Sequence, residues 1–151
     1  KMIDLNIRTL VELTHLFLPG MLKRRAGRIL NIGSIAGFQP GPFMTTYYAS
    51  KAFVNSFSEA LHEELEGTGV ACTALAPGAT ATEFAKASGN ENSRLFKSRT
   101  VATSKQVAVI GYQAMLSGDA LVVPGLINKL MVQMVRITPR FIARKMAAFV
   151  K

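Results

Sequence analysis

Apolar residues recur at helical spacing over residues 3–25, at Ile3, Leu5, Ile7, Leu10, Val11, Leu13, Leu16, Phe17, Leu18, Met21 and Leu22, which predicts an amphipathic helix. Pro19 lies inside this run and is expected to bend it. Gly27 is expected to end the helix, behind Lys23, Arg24 and Arg25, whose charges suit its negative end. Residues 28–34 read as a short strand that stops at Gly33-Ser34, and residues 37–46, with two Pro and two Gly, read as a loop. A second helix is predicted over 47–66, with Ala49, Ala52, Phe53, Phe57, Ala60, Leu61 and Leu65 towards the core and Glu59, Glu63 and Glu64 outward. Gly67-Thr68-Gly69 breaks it. Residues 70–76 are almost continuously apolar before Pro77-Gly78, as in a strand covered on both faces. Residues 79–103 are weakly patterned and predict a loop. Ser104 is the expected N-cap of a helix reaching Leu116 and stopped by Gly118, and 120–123 form a last strand before Pro124-Gly125.

Strands alternating with helices imply parallel strands joined by crossover helices, an α/β layered architecture. The chain divides into a body, 1–125, and a tail, 126–151. The tail carries Ile127, Leu130, Met131, Met134 and Val135, then, beyond Pro139, Phe141, Ile142, Met146, Phe149 and Val150, again at helical spacing.

Charge sharpens this division. The net charge is +9, yet residues 1–90 hold eight Lys and Arg against seven Asp and Glu, while residues 91–151 hold ten against two. From 126 onward there are six cations (Lys129, Arg136, Arg140, Arg144, Lys145, Lys151) and no acid. A basic tail behind a neutral body does not point to nucleic acid. The tail's apolar stripe is read as packing on the body or on a partner subunit, with contact to an anionic lipid surface as the second reading. With 49% hydrophobic residues the chain is expected to fold, and its single Cys excludes a disulfide scaffold or a Cys-built zinc site. His15 and His62 have no partner at metal-ligand spacing, so no metal is expected. No apolar stretch reaches the length of about 20 residues that spans a bilayer. No signal peptide opens the sequence, and a cytoplasmic protein, peripheral to a membrane at most, is expected.

The candidate chemistry lies at Tyr47 and Lys51, four apart at a helix start and therefore on one face. A phenol is a poor acid or base at neutral pH, with a pKa of about 10, and a neighbouring ammonium favours its ionised form. Ser34 ends the preceding strand, where ligands bind in open α/β sheets.

Asn31-Ile32-Gly33-Ser34 followed by Tyr47-Tyr48-Ala49-Ser50-Lys51 resembles the short-chain dehydrogenase/reductase family, with its Asn-x-x-Ser strand end and Tyr-x-x-x-Lys. Asp4-Leu5-Asn6 resembles the family's helix Asn, and Pro77-Gly78-Ala79-Thr80-Ala81-Thr82 its Pro-Gly-x-x-x-Thr turn, so the resemblance covers about 3–125. It implies the later half of a doubly wound, Rossmann-type parallel sheet with flanking helices. The function implied is an oxidoreductase moving a hydride between nicotinamide and a carbonyl or secondary alcohol. In that reading Tyr47 is the acid/base, Lys51 lowers its pKa and holds the nicotinamide ribose, Ser34 orients the substrate oxygen, and Asn6 holds a water behind Lys51. Pro77, Gly78, Thr80 and Thr82 form the nicotinamide wall. The cofactor is NAD or NADP, with NADP favoured. The family's Gly-rich phosphate turn is not in this sequence, which is read as a fragment lacking the first half and unable to bind a dinucleotide tightly by itself.

The loop at 79–103 corresponds to the family's substrate lid, and Phe84, Ala85, Leu95 and Phe96 point to a hydrophobic carbonyl substrate. Met131 and Met134 are candidates for the mouth of such a site. Homo-oligomerisation through the Tyr-bearing helix is implied as well. The competing reading is a non-catalytic remnant serving as a dimerisation or binding module.

Overall fold

The computed structural model describes residues 1–81 and 102–149. Three parallel strands, β1 (Gly27–Ile32), β2 (Val70–Leu75) and β5 (Leu121–Val122), form a sheet in the order β1-β2-β5. The register places Gly27 beside Val70, Ile32 beside Leu75 and Ala74 beside Leu121. Helices α1 (Thr9–Lys23), α2 (Thr45–Glu64) and α3 (Ser104–Ser117) flank it, and α4 (Leu126–Ile137) and α5 (Arg140–Phe149) follow β5.

The alternation of side chains along β2 explains the layers. Val70 and Cys72 meet Leu61 and Leu65 of α2, with Leu18 and Met21 of α1 and Ile29 of β1 around them. Leu75 faces the other way, towards α3. There Gly111 allows the close approach, because a Cβ at that position would lie 2.5 Å from Leu75 Cδ2. The chain is thus an α/β three-layer arrangement, as the alternation of elements predicts.

Three differences from the sequence reading have physical causes. Helix α1 continues through Pro19 and ends at Lys23, not at Gly27. The turn is made by Arg25, whose backbone is left-handed at φ 51, and Gly27 instead opens β1. Helix α3 is capped by Thr103 and not by Ser104. Thr103 accepts a hydrogen bond from the Gln106 amide at 3.2 Å while the Gln106 side chain accepts one from the Thr103 amide, a reciprocal capping box.

The buried stripe of α2 is also not the apolar one. Ser50, Val54, Asn55, Ser58 and Leu61 are buried, whereas Ala49, Phe53 and Ala60 are exposed. The buried hydroxyls and amide are tolerated because each is hydrogen-bonded: Ser58 donates to the Val54 carbonyl at 2.7 Å and accepts from Asn31 Nδ2 at 2.9 Å.

Two short features were not foreseen. Residues Asp4–Arg8 form a π-helical turn ahead of α1. Strands β3 (Thr80–Ala81) and β4 (Ala102–Thr103) pair in parallel beside the main sheet.

Candidate active site

The ladder between β1 and β2 continues past both strand ends. The Gly33 amide donates to the Leu75 carbonyl at 2.8 Å and the Ile35 amide to the Pro77 carbonyl at 3.0 Å. Ser34 and the Pro77-Gly78 turn are thereby held side by side at the carboxyl edge of the sheet. Ser34 caps a 3-10 turn over Ile35–Phe38, its hydroxyl accepting from the Ala36 amide at 3.1 Å. This cap fixes the hydroxyl's position and leaves it on the cavity side.

Tyr47 and Lys51 sit on successive turns of α2. The Ser34 side chain is near enough to act on the Tyr47 phenol. The Lys51 ammonium lies 5.9 Å from the centre of the Tyr47 ring and donates to the Ile32 carbonyl at 2.7 Å. Burial pushes the Tyr47 phenol above its ordinary value, and the Ser34 contact opposes that shift. Burial alone pushes the Lys51 ammonium down. The dominant influence on the phenol is loss of water, and the ammonium is engaged by a strand-end carbonyl. Tyr48 stands edge-on to Tyr47, with ring centres 6.0 Å apart and planes at 78°.

Asn6 occupies the π-helical turn, and such turns widen a helix locally. Its amide donates to Ser50 Oγ at 3.0 Å, and Ser50 donates to the Tyr47 carbonyl at 2.8 Å. Asn6 thus reaches α2 one residue before Lys51. Thr80 turns its hydroxyl back onto the Gly78 carbonyl at 3.0 Å.

Asn6, Ser34, Tyr47, Lys51, Pro77, Gly78 and Thr80 all line one cavity of about 1140 Å³. Its far wall comes from α4 and α5, with Met131, Met134, Ile142 and Met146 among the lining residues, so the two tail methionines line it. Thr82, and the lid residues Phe84, Ala85, Leu95 and Phe96, lie outside the described residues. No cluster of metal ligands occurs among the described residues. Cys72 is fully buried, which pushes its thiol up to about 11 and leaves it protonated.

Sequence reasoning missed Asn55. It is 3% exposed and donates to the Ser34 carbonyl at 3.0 Å, pinning the backbone of the catalytic candidate. Gly33 exists to admit it, since a Cβ there would meet Asn55 Oδ1 at 1.9 Å. The available signal was spacing: Asn55 continues the i, i+4 row from Tyr47 through Lys51.

The short chain dehydrogenase family pattern matches residues 1–93. The chain belongs to this family. A very-long-chain 3-oxoacyl-CoA reductase of Anas platyrhynchos is 36% identical over 97% of the chain and 50% of its own length. Sulfoacetaldehyde reductase 2 of Chromohalobacter salexigens is 42% identical over 76% of the chain and 48% of its own length. A short-chain dehydrogenase from Sphingobium yanoikuyae in complex with NADPH superposes with a TM-score of 0.73 at 25% identity, covering 91% of this chain and 56% of that one. The chain spans about half the length of the curated relatives it matches.

Proposed function

We propose that residues 1–125 carry the catalytic part of an NAD(P)-dependent oxidoreductase that interconverts a carbonyl and a secondary alcohol, with 126–151 as an attached wall of the substrate cleft. The observation that carries this reading is that Tyr47, Ser34 and Lys51 line one cavity, with the Lys51 ammonium beside the Tyr47 ring. Two hydroxyls that line the same cavity can both serve one substrate oxygen.

When bound, the nicotinamide supplies or accepts the hydride at the substrate carbon. Tyr47 delivers the proton to the substrate oxygen in the reductive direction and removes it in the oxidative one. Ser34, held by its cap and by Asn55, donates to the same oxygen and sets its distance from the phenol. The residues fit the nicotinamide ribose: Lys51 Nζ has three donors, of which the Ile32 carbonyl takes one. Pro77, Gly78 and Thr80 line the wall on which the nicotinamide would lie, with Thr82 following in sequence. Asn6, tethered through Ser50, is positioned to hold the water that refills the Tyr47 proton by way of Lys51. The NADPH complex of the Sphingobium relative supports NADP as cofactor.

The apolar far wall supports a hydrophobic carbonyl substrate. The name of the Anas relative, an oxoacyl-CoA reductase, is consistent with this. The exposed Leu16, Phe17 and Phe53 on α1 and α2 support a homo-oligomer.

The test is Tyr47→Phe in the protein as its gene encodes it, followed by NADPH consumption with a hydrophobic ketone. Loss of one positioned acid costs about 10²–10⁴-fold in rate, and kcat is expected to fall within that range with KM little changed. An unchanged kcat would instead favour a non-catalytic dimerisation or binding role.

A further inference from the structure

The tail helices expose apolar side chains beyond those that line the cavity. Met131, Met134 and Val135 of α4 and Ile142 and Met146 of α5 line the cavity, and Val132 and Ala143 are buried against the body. Elsewhere on α4, Leu126 and Leu130 remain 72% and 57% exposed, while Ile137, which also lines the cavity, is 85% exposed. On α5, Phe141 is exposed among the exposed Arg140, Arg144 and Lys145. The tail contains no acid that could pair with these cations, and neither ion pair found among the described residues involves it.

This mixture discriminates between occupants. Protein interfaces are depleted of Lys at their cores, and a tail-to-tail contact between two copies would oppose like charges. Nucleic acid would engage the cations but gain nothing from Leu126, Leu130 and Phe141. An anionic lipid surface satisfies both sets, with aliphatic and aromatic side chains entering the acyl boundary while Lys and Arg reach back to the phosphate level. No helix among the described residues is long and apolar enough to cross a membrane, so the geometry is that of lying on a bilayer. We propose that α4 and α5 dock the protein on an anionic membrane surface through Leu126, Leu130 and Phe141, with Arg140, Arg144 and Lys145 as the electrostatic contact. This goes beyond the oxidoreductase reading and does not depend on it.

The experiment is co-sedimentation of the protein, as its gene encodes it, with phosphatidylcholine vesicles with and without phosphatidylglycerol. Binding is expected with the anionic vesicles and is expected to weaken as salt is raised, because screening shortens the reach of surface charge. Arg140→Glu, Arg144→Glu and Lys145→Glu combined should weaken it by roughly tenfold or more. Leu126→Asn with Leu130→Asn should weaken it as well, with the circular dichroism spectrum retained in both. If either variant fails to fold, the salt series on the unaltered protein decides. Tyr47→Phe should bind vesicles as the unaltered protein does, which separates this proposal from the catalytic one. Equal binding to neutral and anionic vesicles, no binding to either, or a tail-dependent dimer that displaces vesicles would overturn it.

Discussion

The two walls of the cavity are held by different forces. On the β1–α2 side, directional polar contacts cross the interface: Asn31 to Ser58 at 2.9 Å, Asn55 to the Ser34 carbonyl at 3.0 Å and Lys51 to the Ile32 carbonyl at 2.7 Å. On the α4–α5 side the tail rests on dispersion contacts of Val132 and on the Arg136 guanidinium, 5.9 Å from the centre of the Phe38 ring. Hydrogen bonds fix angle and distance, whereas apolar packing tolerates sliding. Proton transfer needs the first property, and a wall that accommodates a flexible apolar substrate is served by the second. The contrast teaches that chemistry and substrate fit are assigned to separate layers of one small chain.

The largest effect expected to expose this contrast is that of pH. Because burial holds the Tyr47 phenol above its ordinary value, the protonated form dominates at neutral pH. Carbonyl reduction should stay level through neutrality and decline only once the phenol ionises. Alcohol oxidation needs the phenolate and should rise about tenfold per pH unit below that pKa. Rate profiles in both directions check this, and substitutions in α4 or α5 should leave their shape unchanged.

Stability separates the walls next. Leu75→Ala empties a site 2% exposed at the centre of the sheet and should cost about 3 kcal/mol in a urea titration. Gly33→Ala drives a methyl into Asn55 Oδ1 and should cost about 2 kcal/mol. It should also lower kcat, since the Ser34 carbonyl loses its anchor. On the other wall, Val132→Ala should cost about 1 kcal/mol and appear chiefly as a raised KM for long apolar ketones. Arg136→Ala removes a surface cation–π contact worth about 0.5 kcal/mol and should be the mildest. A tail variant that lowers kcat as strongly as Gly33→Ala would erase the distinction.

Much of the fold was legible because it rests on periodicity. The apolar run at 70–76, the Gly-Ser stop after β1 and the Pro139 break between α4 and α5 each have a local physical cause. The Tyr47–Lys51 pairing was legible for the same reason, since i, i+4 residues share a helix face. The inward face of α2 was not. Ser50, Asn55 and Ser58 look like solvent-facing residues until their partners on β1 and the π-helical turn are known. Nor were β3 and β4, because two residues carry no period. The Arg25 turn was obscured for a different reason. A left-handed residue two positions before Gly27 makes the glycine look like the helix stop, although what requires it is the Met21 side chain, which a Cβ would meet at 2.6 Å.

By itself the sequence determined the succession of helices and strands, the family, and the set of side chains able to perform the chemistry, because these follow from local spacing and residue type. Only the tertiary structure decided that Tyr47 and Ser34 line one cavity while Lys51 is drawn to a strand-end carbonyl. It alone decided that burial governs the phenol and that the basic tail turns some apolar side chains inward and leaves others outside. These outcomes depend on which groups lose water together, and the loss of water is settled only when distant segments pack.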